Sequence, residues 1–230
     1  MVAAEPDGNG FRLSGTAPWA TSATQADVLV TGGTLDDGRE ILVYLPTDRE
    51  GVDVQPPIEL MGLNASQTGG IKLHNVRVEA EELLHGPVAG VMRHGTGGGA
   101  GSVATSALAL GATAGTLRKF AEEAVDRPEL QEYVDPLTAE CRCLTKDLAA
   151  AAGDKETAAE SVEQLRQLAN SLVLRSAQAW LAATKGRGYM AGHPAERAVR
   201  ESMFFLVWSC PGPVLAANLR ELSCSTFAGE

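Results

Sequence analysis

The 230-residue sequence has little of what would tie it to a metal, a nucleic acid or a membrane. Its four cysteines include no Cys-x-x-Cys pair and its four histidines are scattered, so we expect no metal site. Only 19 Lys and Arg stand against 29 Asp and Glu, which excludes a typical nucleic-acid-binding surface. Residues 94–117 carry no Lys, Arg, Asp or Glu, but they are too rich in Gly, Ser and Thr for a membrane span.

The N-terminus "MVAAEPDGNG" has neither the basic segment nor the apolar segment of a secretory signal peptide. Unpaired cysteines are typical of reducing compartments. These two features lead us to expect a cytoplasmic protein.

The acidic charge is unevenly distributed along the chain. Residues 1–90 hold five basic against 13 acidic residues, a net of −8, whereas residues 91–230 hold 14 against 16, a net of −2. Such a break in composition predicts two domains, 1–90 and 91–230.

The first domain has the pattern of β structure. Short β-branched stretches, separated by Gly, Asp and Pro, are "FRLSGT", "ADVLVTGG", "EILVYLP", "GVDVQ" and "GGIKLHNVRV". The alternation of "IKLHNVRV" slips at Asn75–Val76, as a β-bulge would cause. We expect a small antiparallel β-barrel or sandwich.

The second domain has the pattern of long helices. Ala/Leu-rich runs cover residues 102–126, 132–151, 154–184 and 194–208, and a short one starts at Pro213. Gly and Pro residues separate the runs. Four long helices with short connections predict an antiparallel four-helix-type bundle, so the fold class is α+β.

Three segments, in order, resemble motifs of the acyl-CoA dehydrogenase superfamily. They are "FRLSGTAPWATSATQADVLV", "MGLNASQTGGIKLHNVRVEAEELL" and "GYMAGHPAERAVRES". The resemblance implies that residues 1–90 are part of that family's middle β domain and 91–230 its C-terminal helical bundle. The family's N-terminal helical domain and the start of its β domain have no counterpart here.

The resemblance implies FAD as the cofactor and an acyl-CoA thioester as the substrate. In the family, the Trp of the "W-x-T" crest lies against the flavin ring and the Thr bonds its reactive edge, which implies cofactor contacts for Trp19 and Thr21, with Ser22 beside them. The alternative from the residues alone is a half-buried Trp19 that closes the end of a barrel, flanked by turn-forming Ser and Thr.

The family's catalytic base has no counterpart at either of its usual positions. The expected Glu position is Ser209, after Trp208 at the position of an aromatic residue, and the other location falls near Ala104 and Thr105. A serine without a neighbouring base is a poor acceptor of an α-proton. Glu201 is a possible substitute, but we expect it to pair with an arginine.

The rest of the implied FAD site is also altered. Arg127 matches the arginine that reaches the FAD pyrophosphate of a neighbouring subunit, and Gly186 and Gly188 match a glycine-rich turn. Against this, Ala182 replaces a Gln, Lys185 a Gly and Asn64 an Arg. Arg127 could equally satisfy carbonyl groups at a helix end.

Two readings of the function remain open within the family, and one outside it. The chain is an FAD-dependent oxidoreductase acting on CH–CH groups of acyl thioesters, or a noncatalytic assembly or regulatory subunit. The third reading is an unrelated β-sandwich fused to a bundle. We expect a homo-oligomer, or pairing with a chain that supplies the missing N-terminal domain, because a sheet cut within its domain leaves open edges.

Overall fold

The computed structural model describes residues 1–94, 103–153, 159–208, 210 and 212–223. By its internal contacts the chain divides into two compact units, Met1–Thr96 and Gly97–Glu230. The first unit is built from strands and the second from helices, so the expected α+β fold class is confirmed.

The first unit is a seven-stranded sheet with the order β5-β6-β2-β1-β3-β4-β7. The strands are β1 Val2–Asp7, β2 Gly10–Ala20, β3 Val28–Thr34, β4 Glu40–Pro46, β5 Val52–Pro57, β6 Gly69–Val78 and β7 Leu83–Val88. All neighbouring pairs are antiparallel except β1 and β3, which meet in parallel at Ala3 and Thr34. The sheet is therefore mixed, where the sequence predicted an antiparallel one.

One face of this sheet forms the core of the unit. Alternate residues of the strands are buried there, as period-2 patterning requires. The fully buried ones include Leu13, Ile41, Val43, Leu45, Val76 and Val78. The predicted irregularity in β6 is present: Leu13 and Gly15 of β2 face Val76 and Leu73, so β6 has one extra residue, and Asn75 takes a φ of 55°.

The second unit contains five helices, α1 Val103–Asp126, α2 Gln131–Gly153, α3 Ala159–Gly188, α4 Pro194–Val207 and α5 Gly212–Ser223. Two clusters of buried side chains join α1, α2, α3 and α4, one around Leu172 and Val173 and one around Phe120 and Trp180. Among the helices of the described residues, none is long and apolar enough to cross a membrane.

Candidate functional site

The aromatic crest is the segment from Trp19 to Ser22, where β2 ends. Between Ala17 and Ala20 the strand advances three residues while β6 advances two, from Ile71 to Gly69, so the crest starts in a β-bulge. Bulges turn side chains away from their regular direction and are common beside active sites. Trp19 is 69% exposed, which rejects the alternative of a half-buried residue closing the end of a barrel.

The two hydroxyl residues of the crest differ in what they contact. Thr21 is exposed, and its side chain has no hydrogen-bond partner among the described residues. Ser22 adopts a left-handed φ of 54° and donates both its N–H and its hydroxyl to the main-chain oxygen of Ser66, at 3.0 and 3.1 Å. Thr21 is therefore available to a ligand, whereas Ser22 anchors the crest to the loop before β6.

The loop that receives Ser22 is held by its own side chains. Asn64 accepts a bond from the Leu60 N–H at 2.7 Å and donates to the Leu60 carbonyl at 2.9 Å. The hydroxyls of Ser66 and Thr68 are 2.8 Å apart. Asn64, which stands where the family has an Arg, thus closes the loop. Ser66 positions the crest, and the sequence analysis did not single it out.

Arg127 lies at the end of α1 and is bound within its own chain. Its Nη1 donates to the carbonyl of Ala183 at 2.7 Å, and its Nη2 is 3.3 Å from Oε2 of Glu123. The carbonyl contact is the helix-end role that the sequence left open. The carboxylate contact had a sequence signal, because Glu123 and Arg127 have the i,i+4 spacing of a helical ion pair.

The glycine-rich turn occupies the C-terminal end of α3. Lys185 has φ 54° and ψ −148°, so the helix is interrupted there. A Cβ on Gly188 would lie 1.8 Å from the Thr184 hydroxyl, so packing inside the chain already requires glycine at 188. Gly186 has open space where a Cβ would be. Gly186 therefore leaves room beside the backbone, and Gly188 does not.

The predicted position of the catalytic base, Ser209, lies outside the described residues. Next to it, Trp208 stacks on Phe204 with ring centres 4.8 Å apart. Glu201, the possible substitute, pairs with Arg197 at 3.0 Å, as expected. Arg200 donates to Glu196 and holds the pKa of that carboxyl below its usual value.

A buried polar cluster lies where α3 passes the end of α4. The Arg166 side chain is completely buried, and its Nη2 donates to the Trp208 carbonyl at 3.2 Å. One turn further, Asn170 donates to the Phe205 carbonyl at 3.0 Å. Burial lowers the pKa of Arg166, because the interior disfavours a charge. Sequence reasoning missed the cluster, although Arg166 is in helical phase with the buried residues Ala169 and Val173.

The described residues contain no group of three or more His, Cys, Asp or Glu side chains that could hold a metal ion.

No protein-family model matches the chain. Known proteins do match it. A probable acyl-CoA dehydrogenase of Bacillus subtilis is 30% identical over 138 residues, which are 58% of this chain and 36% of that protein. A dibenzothiophene monooxygenase of Rhodococcus qingshengii is 32% identical over 97 residues, 40% of this chain and 23% of that protein.

The fold of the chain is also similar to that of a solved structure. The glutaryl-CoA dehydrogenase of Mycobacterium smegmatis, in complex with FADH2, superposes with a TM-score of 0.79 at 21% identity. The superposition covers 97% of this chain and 61% of that one. The chain thus spans less than two thirds of the length of these proteins.

Together, these relatives and structural neighbours point to the acyl-CoA dehydrogenase family. The chain corresponds to the β part and the C-terminal helical part of that family's fold.

Proposed function

We propose that this chain is the β and C-terminal helical part of an FAD-dependent oxidoreductase that acts on the CH–CH group of an acyl thioester. The observation that carries the proposal is the exposed indole of Trp19, set in a bulge two residues before the exposed Thr21. The sequence relatives and the FADH2-bound structural neighbour support this choice of cofactor.

The crest residues fit a flavin ring. An exposed indole offers an apolar plane on which a tricyclic ring can stack, and burying it there removes apolar surface from water. The Thr21 hydroxyl can donate to or accept from a polar atom at the ring edge. Ser22 supports this geometry by fixing the crest to Ser66. When bound, FAD would accept the hydride that leaves the substrate.

The helical residues fit the cofactor less well. Arg127 is already bound to the Ala183 carbonyl and to Glu123, and Gly188 is closed by Thr184. Of the three residues assigned to this part of the cofactor, Gly186 alone has open space beside it. We therefore propose that the crest provides the main cofactor contact of this chain.

Removal of the α-proton needs a base, and Ser209 stands at the family's usual position for it. Glu201, the possible substitute, is paired with Arg197. The proposal therefore includes a partner that supplies the carboxylate, either a second copy of the chain or a chain with an N-terminal helical domain.

Cys141, Cys143 and Cys210 are free thiols, which supports the cytoplasm as the location.

Visible absorbance tests the proposal. The purified chain should be yellow, or become yellow and stay so after incubation with FAD and removal of the excess. Addition of an acyl-CoA should then bleach the oxidised flavin, either in the purified chain, where a second copy supplies the base, or after addition of a chain with the N-terminal domain. A yellow protein that no acyl-CoA bleaches in either case would support the noncatalytic alternative, and a chain that remains colourless with added FAD would contradict the cofactor assignment.

A further inference from the structure

Two arginines share one carboxylate at the end of the helical unit where α1 ends and α3 breaks. Arg187 donates through Nη2 to both oxygens of Glu123, at 2.6 and 2.7 Å. Arg127 approaches Oε2 of the same carboxylate at 3.3 Å. Glu123 is therefore the common anion between Arg127, which follows α1, and Arg187, which follows the break at Lys185.

The carboxylate is the most buried member of this cluster. The side chain of Glu123 is 20% exposed, against 30% for Arg127 and 61% for Arg187. Arginine binds carboxylates and phosphates with the same planar fork of N–H donors. Glu123 occupies Nη2 of both arginines, so a phosphate group would compete with this carboxylate for those donors.

The surroundings of the cluster also disfavour a second anion. A cavity of about 300 Å³ adjoins it, lined by Arg187 and Glu123 and by Lys119, Glu122, Asp126, Trp180, His193 and Pro194. Three carboxylates and two basic side chains line this cavity. A ligand with several negative charges would meet like charges there, which raises the free energy of binding.

We propose that Glu123 is an internal counter-ion that withholds Arg127 and Arg187 from phosphate-bearing ligands. The intact chain is therefore selective against a free pyrophosphate or nucleoside diphosphate at this position. Removal of the Glu123 charge uncovers a two-arginine anion site. The inference does not depend on the flavin crest, because it concerns only the phosphate half of a dinucleotide.

Isothermal titration calorimetry with ADP and with inorganic pyrophosphate tests this inference. We expect the wild-type chain to bind either ligand more weakly than about 1 mM, and Glu123→Gln to bind pyrophosphate at least about tenfold more tightly. The gain should shrink as salt is raised, since it is electrostatic. Arg127→Ala combined with Glu123→Gln should lose the gain.

Glu140→Gln is the matched control. Glu140 on α2 pairs with Arg175 at 2.5 Å and is not among the residues that line the cavity, so its substitution removes the same charge without freeing the two arginines. Wild-type binding tighter than about 1 mM would overturn the inference whatever the variants do. An equal gain in Glu140→Gln, or a folded Glu123→Gln without a gain, would overturn it as well. ADP and pyrophosphate lack a flavin ring, so failure here is distinguishable from failure of the FAD assignment.

Discussion

Ser22 donates two hydrogen bonds, from its N–H and its hydroxyl, to the single main-chain oxygen of Ser66, 44 residues further along the chain. This pair joins the crest after β2 to the loop before β6. The left-handed φ of 54° at Ser22 is what turns both donors toward the same acceptor. Ser22 therefore positions the crest through the backbone.

Ser22→Ala should weaken the crest without unfolding the sheet. The variant keeps the N–H bond and loses the hydroxyl bond, so we expect a loss of about 1 kcal/mol in the free energy of unfolding. Ser22→Val should lose more, because a β-branched residue is strained at positive φ. Urea unfolding followed by circular dichroism measures both, and Thr24→Ala at an exposed position nearby is the control. Equal stability of Ser22→Val and wild type would contradict this role.

The buried Arg166 should tolerate an apolar side chain of similar length better than truncation. Among the described residues no carboxylate pairs with it, Nε and Nη1 have no hydrogen-bond partner, and the Phe205 ring lies 5.7 Å from Cζ, so the contacts described there offset little of the cost of burying the charge. Arg166→Met removes the desolvation cost of the buried charge and also one hydrogen bond, to the Trp208 carbonyl. We expect the stability of this variant to lie within about 1 kcal/mol of wild type. Arg166→Ala leaves a cavity and should lose about 2–4 kcal/mol. If Arg166→Met were as unstable as Arg166→Ala, the contacts of the guanidinium with the Trp208 carbonyl and the Phe205 ring would outweigh the cost of burying its charge.

The ion pair between Arg49 and Glu82 should make the β unit less stable in acid. Arg49 donates to both oxygens of Glu82 and also to the Arg77 carbonyl, at 2.8 Å. These bonds from Arg49 hold the pKa of Glu82 below its usual value of 4.5. A depressed pKa in the folded state means that the stabilisation is complete above 4.5 and is lost as the pH falls through the lower, folded-state pKa.

Comparison of wild type with Glu82→Gln measures this contribution. The wild type should be more stable by about 1–2 kcal/mol at pH 7, and the difference should shrink below about pH 4.5. Glu81→Gln, next to it on the chain, is the control for a simple change of net charge. A difference that stays constant down to pH 3 would show that Glu82 does not act through its charge.

Self-association should involve the exposed leucines of α5. Leu215, Leu219 and Leu222 have the i, i+4, i+7 spacing of one helix face, and all three are exposed. Burial of such a stripe is favourable, and exposed apolar faces often mark interfaces. We expect sedimentation velocity to show a species larger than a monomer, and Leu219→Lys to shift it toward the monomer. Val125→Lys, at an exposed valine on α1, should not. A wild-type chain that sediments as a monomer at all concentrations would contradict this prediction.

Two of the long helices, α1 and α4, were predictable because prolines lie at their boundaries, although α2 runs through Pro136. The predicted run 102–126 corresponds to α1 at Val103–Asp126, and the run 194–208 to α4 at Pro194–Val207. Pro128 and Pro194 fix these boundaries, since proline is disfavoured inside helices but suited to a first turn.

Two strands could not be predicted because their pairing partners, rather than their own residues, make them strands. β1 consists of Val2–Asp7 and contains Pro6 and two acidic residues, which are poor strand formers. Its pairing with β2 in register from Val2 opposite Gly15 stabilises it. β7, Leu83–Val88, similarly depends on β4. The parallel contact between β1 and β3 joins strands that are distant in sequence, and no residue pattern in either strand indicates it.

The assignment of Trp19 and Thr21 to a cofactor stays a prediction, which came from the resemblance of their segment to a family motif. The structure adds that both residues are exposed. The partners of Ser22 and Arg187 lie 44 and 64 residues away along the chain, and the spacing of residues carries no information about such contacts. The contact of Arg127 with Glu123 could have been predicted from its i,i+4 spacing, whereas the second arginine on Glu123, Arg187, became visible only in the structure.

Contact between Trp19 and the flavin ring is the central claim, and a riboflavin titration tests it most directly. Riboflavin carries the ring without phosphates, so Arg127 and Glu123 do not affect the result. The wild-type chain should quench riboflavin fluorescence on binding, and Trp19→Ala should bind at least about tenfold more weakly, whereas Trp19→Phe keeps a ring plane and should lose less. Val30→Ala, another exposed apolar residue of the same sheet, should bind like wild type. Equal affinity of Trp19→Ala and wild type, or no binding by the wild-type chain, would contradict the claim.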